Sequence, residues 1–197
     1  MGLDCTTGAE LIAGDLQIVD SLVYKPGVQF EHARRRCDAS PGSKAMSSTN
    51  LQDIHDIRFL KHTYAAIADA CASPDGAHHG AEMAALFLED GIWEAPPEHG
   101  GKHVGRKAIE AFFAGLGKVA PWANHFMLNE RIVVDGDTAT GQWKNIVPVT
   151  YLVDGIPKAF WIFGGYRDEY TKRDGRWYFR KLSAYVERAA SHADGWI

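Results

Sequence analysis

Two residues of this chain have side chains suited to acid–base chemistry and lie in predicted structural elements. His125 follows Asn124 at the head of a predicted strand. Because an imidazole titrates near neutral pH, it could take a proton from a carbon acid and later release it. Tyr64 lies on the apolar side of a predicted helix, where its phenol could donate a hydrogen bond to a leaving hydroxyl or to a carbonyl oxygen. Each residue also has a purely structural interpretation, as a surface or core histidine and as a core aromatic residue.

A second group of candidates lies on predicted strands, where aromatic or polar side chains could line a pocket. These candidates are Trp93, Trp143, Lys144, Asn145, Trp161 and Tyr166. Core packing explains most of the aromatic residues, but a cavity for a flat apolar ligand fits as well. Lys144 and Asn145 interrupt an apolar strand. Alternation turns one of the two inward, where it needs a polar partner such as a substrate oxygen.

Four long strands must position these residues, and the turns between the strands are the clearest structural signal. The strands are predicted at roughly 124–134, 138–153, 158–171 and 176–188. Each connection contains an Asp-Gly pair, in which Gly takes the positive φ that a primed hairpin turn needs. Twist accumulates along strands of this length, so the sheet is expected to curve strongly.

The remaining elements are helices that close this sheet. The first helix begins near Asp53 and presents an apolar stripe that includes Tyr64. Asp69 lies about 120° around the same helix from Ile57, which by periodicity alone places it on a solvated flank. A second helix is predicted to continue to Leu88, an edge strand to cover 92–94 before two prolines, and a third helix to carry 109–116. The predicted fold class is α+β, with a cone-shaped, strongly curved, mostly antiparallel sheet wrapped around about three helices.

Composition narrows the function classes. The chain has 197 residues, of which 46% are hydrophobic, so one sizeable core can form. The net charge of −4 with interspersed signs gives no basis for nucleic-acid binding. No segment resembles a secretion signal or a membrane span. The three cysteines match no zinc or redox spacing, so we expect free thiols and a cytoplasmic location.

We expect neither a metal nor a cofactor. Four histidines lie in loops and lack a well-placed third ligand: His78, His79, His99 and His103. The chain has no phosphate-binding glycine loop and no Gly-x-Ser-x-Gly elbow. The expected partners are a small-molecule substrate and further copies of the chain. A homodimer or homotrimer is predicted because strands 138–153 and 158–171 carry apolar residues on both faces.

The chain is expected to hold one folded domain. Residues 1–50 differ in composition from the rest and are interpreted as an N-terminal extension without an assigned function. Residues 51–190 form the predicted domain, and residues 191–197 form a tail. Met46, which precedes Ser-Ser-Thr-Asn, is a candidate for the natural start of the protein.

Six segments between residues 53 and 188 resemble, in order, the SnoaL-like branch of the nuclear transport factor 2-like superfamily, whose fold is also called cystatin-like. That family includes scytalone dehydratase, a bile acid dehydratase and a hexachlorocyclohexane dehydrochlorinase. No single segment is specific, and the resemblance is stronger for the fold than for the activity. The segments are Ile57–Asp69, Ala85–Trp93, Gly105–Phe113, Asn124-His125, Val133–Thr140 and Tyr166–Trp177.

The resemblance implies roles for three residues. In the lyase members, an aspartate of the first helix and a histidine after the third helix form a dyad, often with a polar residue five positions before the aspartate. These places are filled by Asp69, His125 and Tyr64. The implied activity is cofactor-independent elimination, or retro-aldol cleavage, of a small apolar hydroxylated substrate, either aromatic or polycyclic. Isomerisation in the same pocket and a non-catalytic ligand-binding or assembly subunit are the alternatives.

Overall fold

The computed structural model describes residues 48–193 and residue 195. Residues 1–47 of the predicted extension and residues 194, 196 and 197 of the predicted tail lie outside the described residues. The helices are α1 (Ser48–Cys71), α2 (Gly80–Ala85) and α3 (Arg106–Gly115). The strands are β1 (Phe87–Glu94), β2 (Lys102–Val104), β3 (Trp122–Ala123), β4 (Phe126–Asp135), β5 (Thr138–Val153), β6 (Ile156–Arg173) and β7 (Arg176–Ser191).

The strands form one curled mixed sheet. Its order is β2-β1-β7-β6-β5, and both β4 and β3 pair with β5 along different parts of that strand. β1 runs parallel to β7, and the other pairs are antiparallel. The predicted α+β fold, with a strongly curved and mostly antiparallel sheet and three helices, is confirmed. Among the described residues, no helix has the length and apolar character that crossing a bilayer demands.

The long hairpins form where the sequence predicts them. In the turn between β5 and β6, Asp154 and Gly155 have φ values of 53° and 76°. Asp174 and Gly175, between β6 and β7, have φ values of 50° and 76°. Two successive positive φ values are typical of the type I′ turn, whose twist matches that of the flanking strands. These turns fix the register of β5, β6 and β7, and hence which side chains share the concave face.

Two sequence predictions around β1 are wrong. The second helix ends at Ala85 and not at Leu88, because Phe87 begins β1 and packs its buried ring against Phe179 with ring centroids 5.1 Å apart. The segment 92–94 is not an edge strand, since β1 lies between β2 and β7. The prolines do end β1, but the chain then returns as β2 and covers that side.

A buried ion pair joins α1 to the sheet. The ammonium group of Lys61 donates a hydrogen bond to Oδ2 of Asp168 on β6 at 2.8 Å, and neither side chain is exposed. The Tyr170 hydroxyl donates to the same oxygen at 2.9 Å. Lys61 Nζ also lies 3.4 Å from the centre of the Tyr166 ring. Burial lowers the pKa of Lys61 from 10.5 to about 8, against the opposing pull of Asp168, and raises the pKa of Asp168.

A second polar contact holds the start of α1. Asp53 accepts hydrogen bonds from Lys172 Nζ at 2.7 Å and from Trp177 Nε1 at 2.9 Å. Burial pushes the pKa of this carboxyl group up, but the two hydrogen bonds and the charge of Lys172 leave it lowered overall. Lys172 is on β6 and Trp177 on β7, so Asp53 ties the helix to the hairpin between these strands.

The Lys61–Asp168 pair yields a stability prediction. Lys61→Met leaves an uncompensated buried carboxylate and is expected to lower the free energy of unfolding by about 3–5 kcal/mol. Lys61→Met combined with Asp168→Asn removes both charges but keeps an acceptor for Tyr170, so most of the loss should be recovered. Urea unfolding of the two single variants and the double variant measures this coupling. Additive losses in the double variant would contradict the pairing.

Asp53 yields a prediction on acid stability. Because its folded pKa is lowered from 3.8, its contribution is present above that value and is lost as the pH falls through the folded pKa. Asp53→Asn should lower the free energy of unfolding at pH 7 by roughly 1 kcal/mol and flatten its decline at more acidic pH. Asp56→Asn, one helical turn along α1, is the matched control. Equal acid dependence in wild type and Asp53→Asn would refute this assignment.

Candidate active site

Asp69 and His125 are in direct contact. Nδ1 of His125 lies 2.6 Å from Oδ1 of Asp69, and the backbone N–H of His125 donates to the same oxygen at 2.9 Å. An ionised carboxylate only accepts hydrogen bonds, so Nδ1 is the donor in this contact; in a neutral imidazole, Nε2 is then the nitrogen with the free lone pair. Both side chains are largely covered, with 26% of Asp69 and 15% of His125 exposed. The geometry is that of a base oriented by a carboxylate.

Local structure explains why these two residues meet. Asp69 lies in the last turn of α1, and His125 lies in the two-residue connection between β3 and β4. Both of those strands pair with β5, and the Asn124 N–H donates to the Pro148 carbonyl at 3.1 Å. The connection therefore stays against β5 and faces the end of α1.

His125 is part of the wall of a cavity on the concave side of the sheet. The cavity encloses about 750 Å³ of space free of protein atoms, including its open mouth. Tyr64, Trp93, Asn145 and Tyr166, all predicted to be site residues, also line the cavity.

One end of the cavity is polar and aromatic. The Trp93 indole N–H donates to the Tyr64 hydroxyl at 3.0 Å. Burial raises the pKa of Tyr64 and of Tyr166 above the ordinary phenol value, so both hydroxyls stay protonated donors. Asn145 is buried and, among the described residues, its side-chain oxygen Oδ1 has no hydrogen-bond partner. A buried acceptor without a partner is costly, and this oxygen has almost no surface accessible from the cavity.

Three predicted pocket residues do not line this cavity. Trp143 faces inward but lies in the packed core, where its indole N–H donates to Tyr170 at 3.1 Å. Lys144 points outward by strand alternation and pairs with Glu187 on the other face of the sheet. Trp161 also lies outside the cavity, with its indole N–H donating to His192 at 3.1 Å. Of the pair Lys144 and Asn145, Asn145 is therefore the inward residue.

Sequence reasoning missed the charged pair beneath the cavity. Lys61 lies four residues after Ile57, on the apolar face of α1, and Asp168 lies between Tyr166 and Tyr170 in the inward alternation of β6. A lone lysine on an apolar helix face and a lone aspartate on an inward strand face are the signal that could have identified them. Within residues 48–193, no group of three or more histidine, cysteine, aspartate or glutamate side chains is arranged to hold a metal ion.

A family model for the SnoaL-like domain matches residues 49–183. The chain belongs to the SnoaL-like family. This match confirms the resemblance drawn from the sequence. No curated protein sequence matches the chain.

Solved structures of this family's fold resemble the chain at low sequence identity. A scytalone dehydratase-like protein of Novosphingobium aromaticivorans is 23% identical over 73% of this chain and 90% of its own, with a TM-score of 0.62. A hexachlorocyclohexane dehydrochlorinase of Novosphingobium barchaimii is 20% identical over 75% of this chain and 94% of its own, with a TM-score of 0.62.

A third structural relative is described by its fold. It is a nuclear transport factor 2-like protein with a cystatin-like fold from Novosphingobium aromaticivorans, 22% identical over 76% of this chain and 96% of its own, with a TM-score of 0.55. At these identities the likenesses establish the fold.

Proposed function

We propose that this SnoaL-like protein is a cofactor-independent lyase that eliminates water from a small apolar hydroxylated substrate, aromatic or polycyclic. The observation that carries the proposal is the 2.6 Å contact between His125 Nδ1 and Asp69 Oδ1 at the wall of the cavity. A general base needs its partner within hydrogen-bond reach, and this pair meets that requirement. The contact favours catalysis over a ligand-binding or assembly subunit.

In the proposed reaction, His125 Nε2 removes a proton from a substrate carbon, and the electron pair of the broken C–H bond moves into the substrate. Asp69 stabilises the imidazolium that forms. Phenol donors such as Tyr64 and Tyr166 stabilise negative charge on a substrate oxygen. The new C=C bond forms as the C–O bond breaks, and the departing hydroxide takes the proton from the imidazolium and leaves as water.

Two related reactions use the same first proton transfer. In an isomerisation, the imidazolium returns the proton to a different carbon. In a retro-aldol cleavage, the base takes the proton of a hydroxyl group, and a C–C bond breaks in place of the C–O bond. The phenol hydroxyls of Tyr64 and Tyr166 at the polar end of the cavity are compatible with each of them. Product analysis separates the three reactions.

The role of His125 is tested by substitution. His125→Ala keeps the backbone N–H that donates to Asp69, so the fold should persist while turnover falls by about 10²–10⁴-fold. Asp69→Asn removes the charge and replaces one oxygen by an amide donor, but the imidazole remains, so a smaller fall is expected. His55→Ala and Asp56→Asn, both on α1, are the matched controls. The measurement is the rate of product formation from hydroxylated aromatic compounds that wild type converts.

Two results would count against this assignment. One is wild-type turnover in either dyad variant on a verified substrate. The other is specific ligand binding without turnover of any hydroxylated aromatic or polycyclic compound, which would favour the binding-subunit alternative.

We also propose that the protein self-associates, as the apolar residues on both faces of β5 and β6 suggest. Exposed apolar side chains on and beside these strands support this, including Trp122, Phe126 and Ile156. Sedimentation at micromolar concentration should detect a dimer or trimer. A monomer at that concentration would contradict the proposal.

A further inference from the structure

A second histidine lines the cavity and has no part in the chemistry proposed above. His99 ends the short turn Pro97–His99 between β1 and β2, and its N–H donates to the Pro96 carbonyl at 2.8 Å. Pro96 and His99 both line the cavity, whereas Pro97 and Glu98, which lie between them, are exposed. The turn therefore presents its two end residues to the cavity and its middle to solvent.

A glycine holds this turn against the wall of the cavity. Gly100 has a φ of 123°, in the left-handed region that favours glycine. A Cβ atom at this position would lie 2.7 Å from the Phe112 ring and 3.0 Å from the Trp93 ring, so the backbone packs directly on both rings. Phe112 and Trp93 themselves line the cavity. His99, the residue before Gly100, is thereby fixed beside them.

The two histidines of this loop differ in their contacts. Nε2 of His103 lies 3.0 Å from the Gly100 carbonyl oxygen, and the His103 ring stacks on Phe112 with centroids 4.3 Å apart. His99 has no such structural contact, since its imidazole makes no hydrogen bond, ion pair or ring contact with any of the described residues. The partly buried imidazole of His99 is therefore available to a ligand in the cavity.

The sheet places His99 and His125 on opposite sides of the cavity. His99 follows β1, and His125 lies beside β5, close to where Ala123 pairs with Val149. In the sheet, β7 and β6 lie between β1 and β5. Residues of these two strands line the cavity between the histidines: Ala184 and Val186 on β7, and Ile162 and Tyr166 on β6. Because the sheet curls around the cavity, a ligand that lies on these strands has one imidazole on each side.

Elimination of water needs a proton for the departing oxygen. When the oxygen leaves from the face of the substrate that His125 approaches, the His125 imidazolium can return its proton to it. When the oxygen leaves from the other face, His125 cannot reach it, and hydroxide without a proton is a poor leaving group. A histidine on that side is a suitable donor, because an imidazolium releases a proton near neutral pH.

We infer that His99 is a second catalytic residue, the general acid for substrates whose hydroxyl group lies on the face opposite His125. His125 Nε2 takes the proton from carbon, the electron pair of the C–H bond forms the C=C bond, and the C–O electron pair stays on the oxygen. That oxygen takes a proton from the His99 imidazolium and leaves as water. Solvent then reprotonates His99 and deprotonates His125. This role rests on the proposed function and adds an anti elimination to the same-face route.

Two isomers of one compound separate the two routes: cis- and trans-3-hydroxy-2-methyl-1-indanone. In each isomer, the carbon between the carbonyl and the hydroxyl-bearing carbon has a single hydrogen. In the trans isomer this hydrogen and the hydroxyl group share a face, and in the cis isomer they lie on opposite faces. Both isomers lose water to give 2-methyl-1-indenone, whose absorbance follows the reaction. Wild-type protein should convert both.

Substitution of His99 should affect only one isomer. His99→Gln keeps a hydrogen-bond donor but cannot transfer a proton. It should slow the loss of water from the cis isomer by about 10²–10⁴-fold and from the trans isomer by less than about threefold, since His125 supplies both proton transfers there. His125→Ala should stop both reactions. Glu98→Gln, an exposed neighbour in the same turn, is the matched control, and calorimetry with 2-methyl-1-indanone checks that the cavity of each variant still binds.

Three results would overturn the role of His99. The first is wild-type conversion of the trans isomer alone, which would leave the proposed function standing. The second is an unchanged rate with the cis isomer in His99→Gln, and the third is an equal loss with both isomers, which indicates a structural effect. If wild type binds 2-methyl-1-indanone but dehydrates neither isomer, the proposed function fails together with the role of His99.

Discussion

The buried contact between Lys61 and Asp168 constrains everything else in this fold. An isolated charge in an apolar core is very costly, so the ammonium and the carboxylate must meet at hydrogen-bond distance. They do so at 2.8 Å, and this fixes both the depth and the rotation of α1 against β6. Tyr64 lies one turn further along the helix than Lys61, and Asp69 lies two turns further. The Lys61–Asp168 contact therefore also orients Tyr64 toward the cavity and Asp69 toward His125.

The same strand faces serve first as core and then as cavity wall. Along the inward side of β5, Trp143 is packed in the core, Asn145 marks the boundary, and Val147 and Val149 line the cavity. On β6 the change from core to cavity wall occurs at Tyr166. The Tyr166 ring covers Lys61, and Tyr166 also lines the cavity. The boundary is where polar groups are concentrated, because both the ion pair and the phenols need partners in an interior without water. The buried ion pair therefore lies next to the phenols that line the candidate active site.

The extent to which sequence predicts this structure depends on how local each signal is. The Asp-Gly turns and strand lengths are local, so β5, β6 and β7 were predicted nearly to their ends, and alternation correctly required one of Lys144 and Asn145 to face inward. The strand β1 was misassigned because its burial comes from β7, about ninety residues away in the chain. Asp69 lies off the apolar stripe, and only the family resemblance pointed to it; helix phase does not reveal that His125 covers that flank. Lys61 and Asp168 are separated by 107 residues, so neither one predicts the other without the fold.

We propose that His125 removes a proton from a substrate carbon inside the cavity, and this step can be measured directly. Hydrogen–deuterium exchange at the carbon next to the carbonyl of a bicyclic aryl ketone, followed by NMR in deuterated buffer, measures this step without requiring a leaving group. Wild-type protein should accelerate the exchange of a ketone that it binds, and His125→Ala should return the rate to that of buffer while still binding the ketone. Acceleration that persists in His125→Ala, or no acceleration by wild type for any ketone shown to occupy the cavity, would contradict the claim.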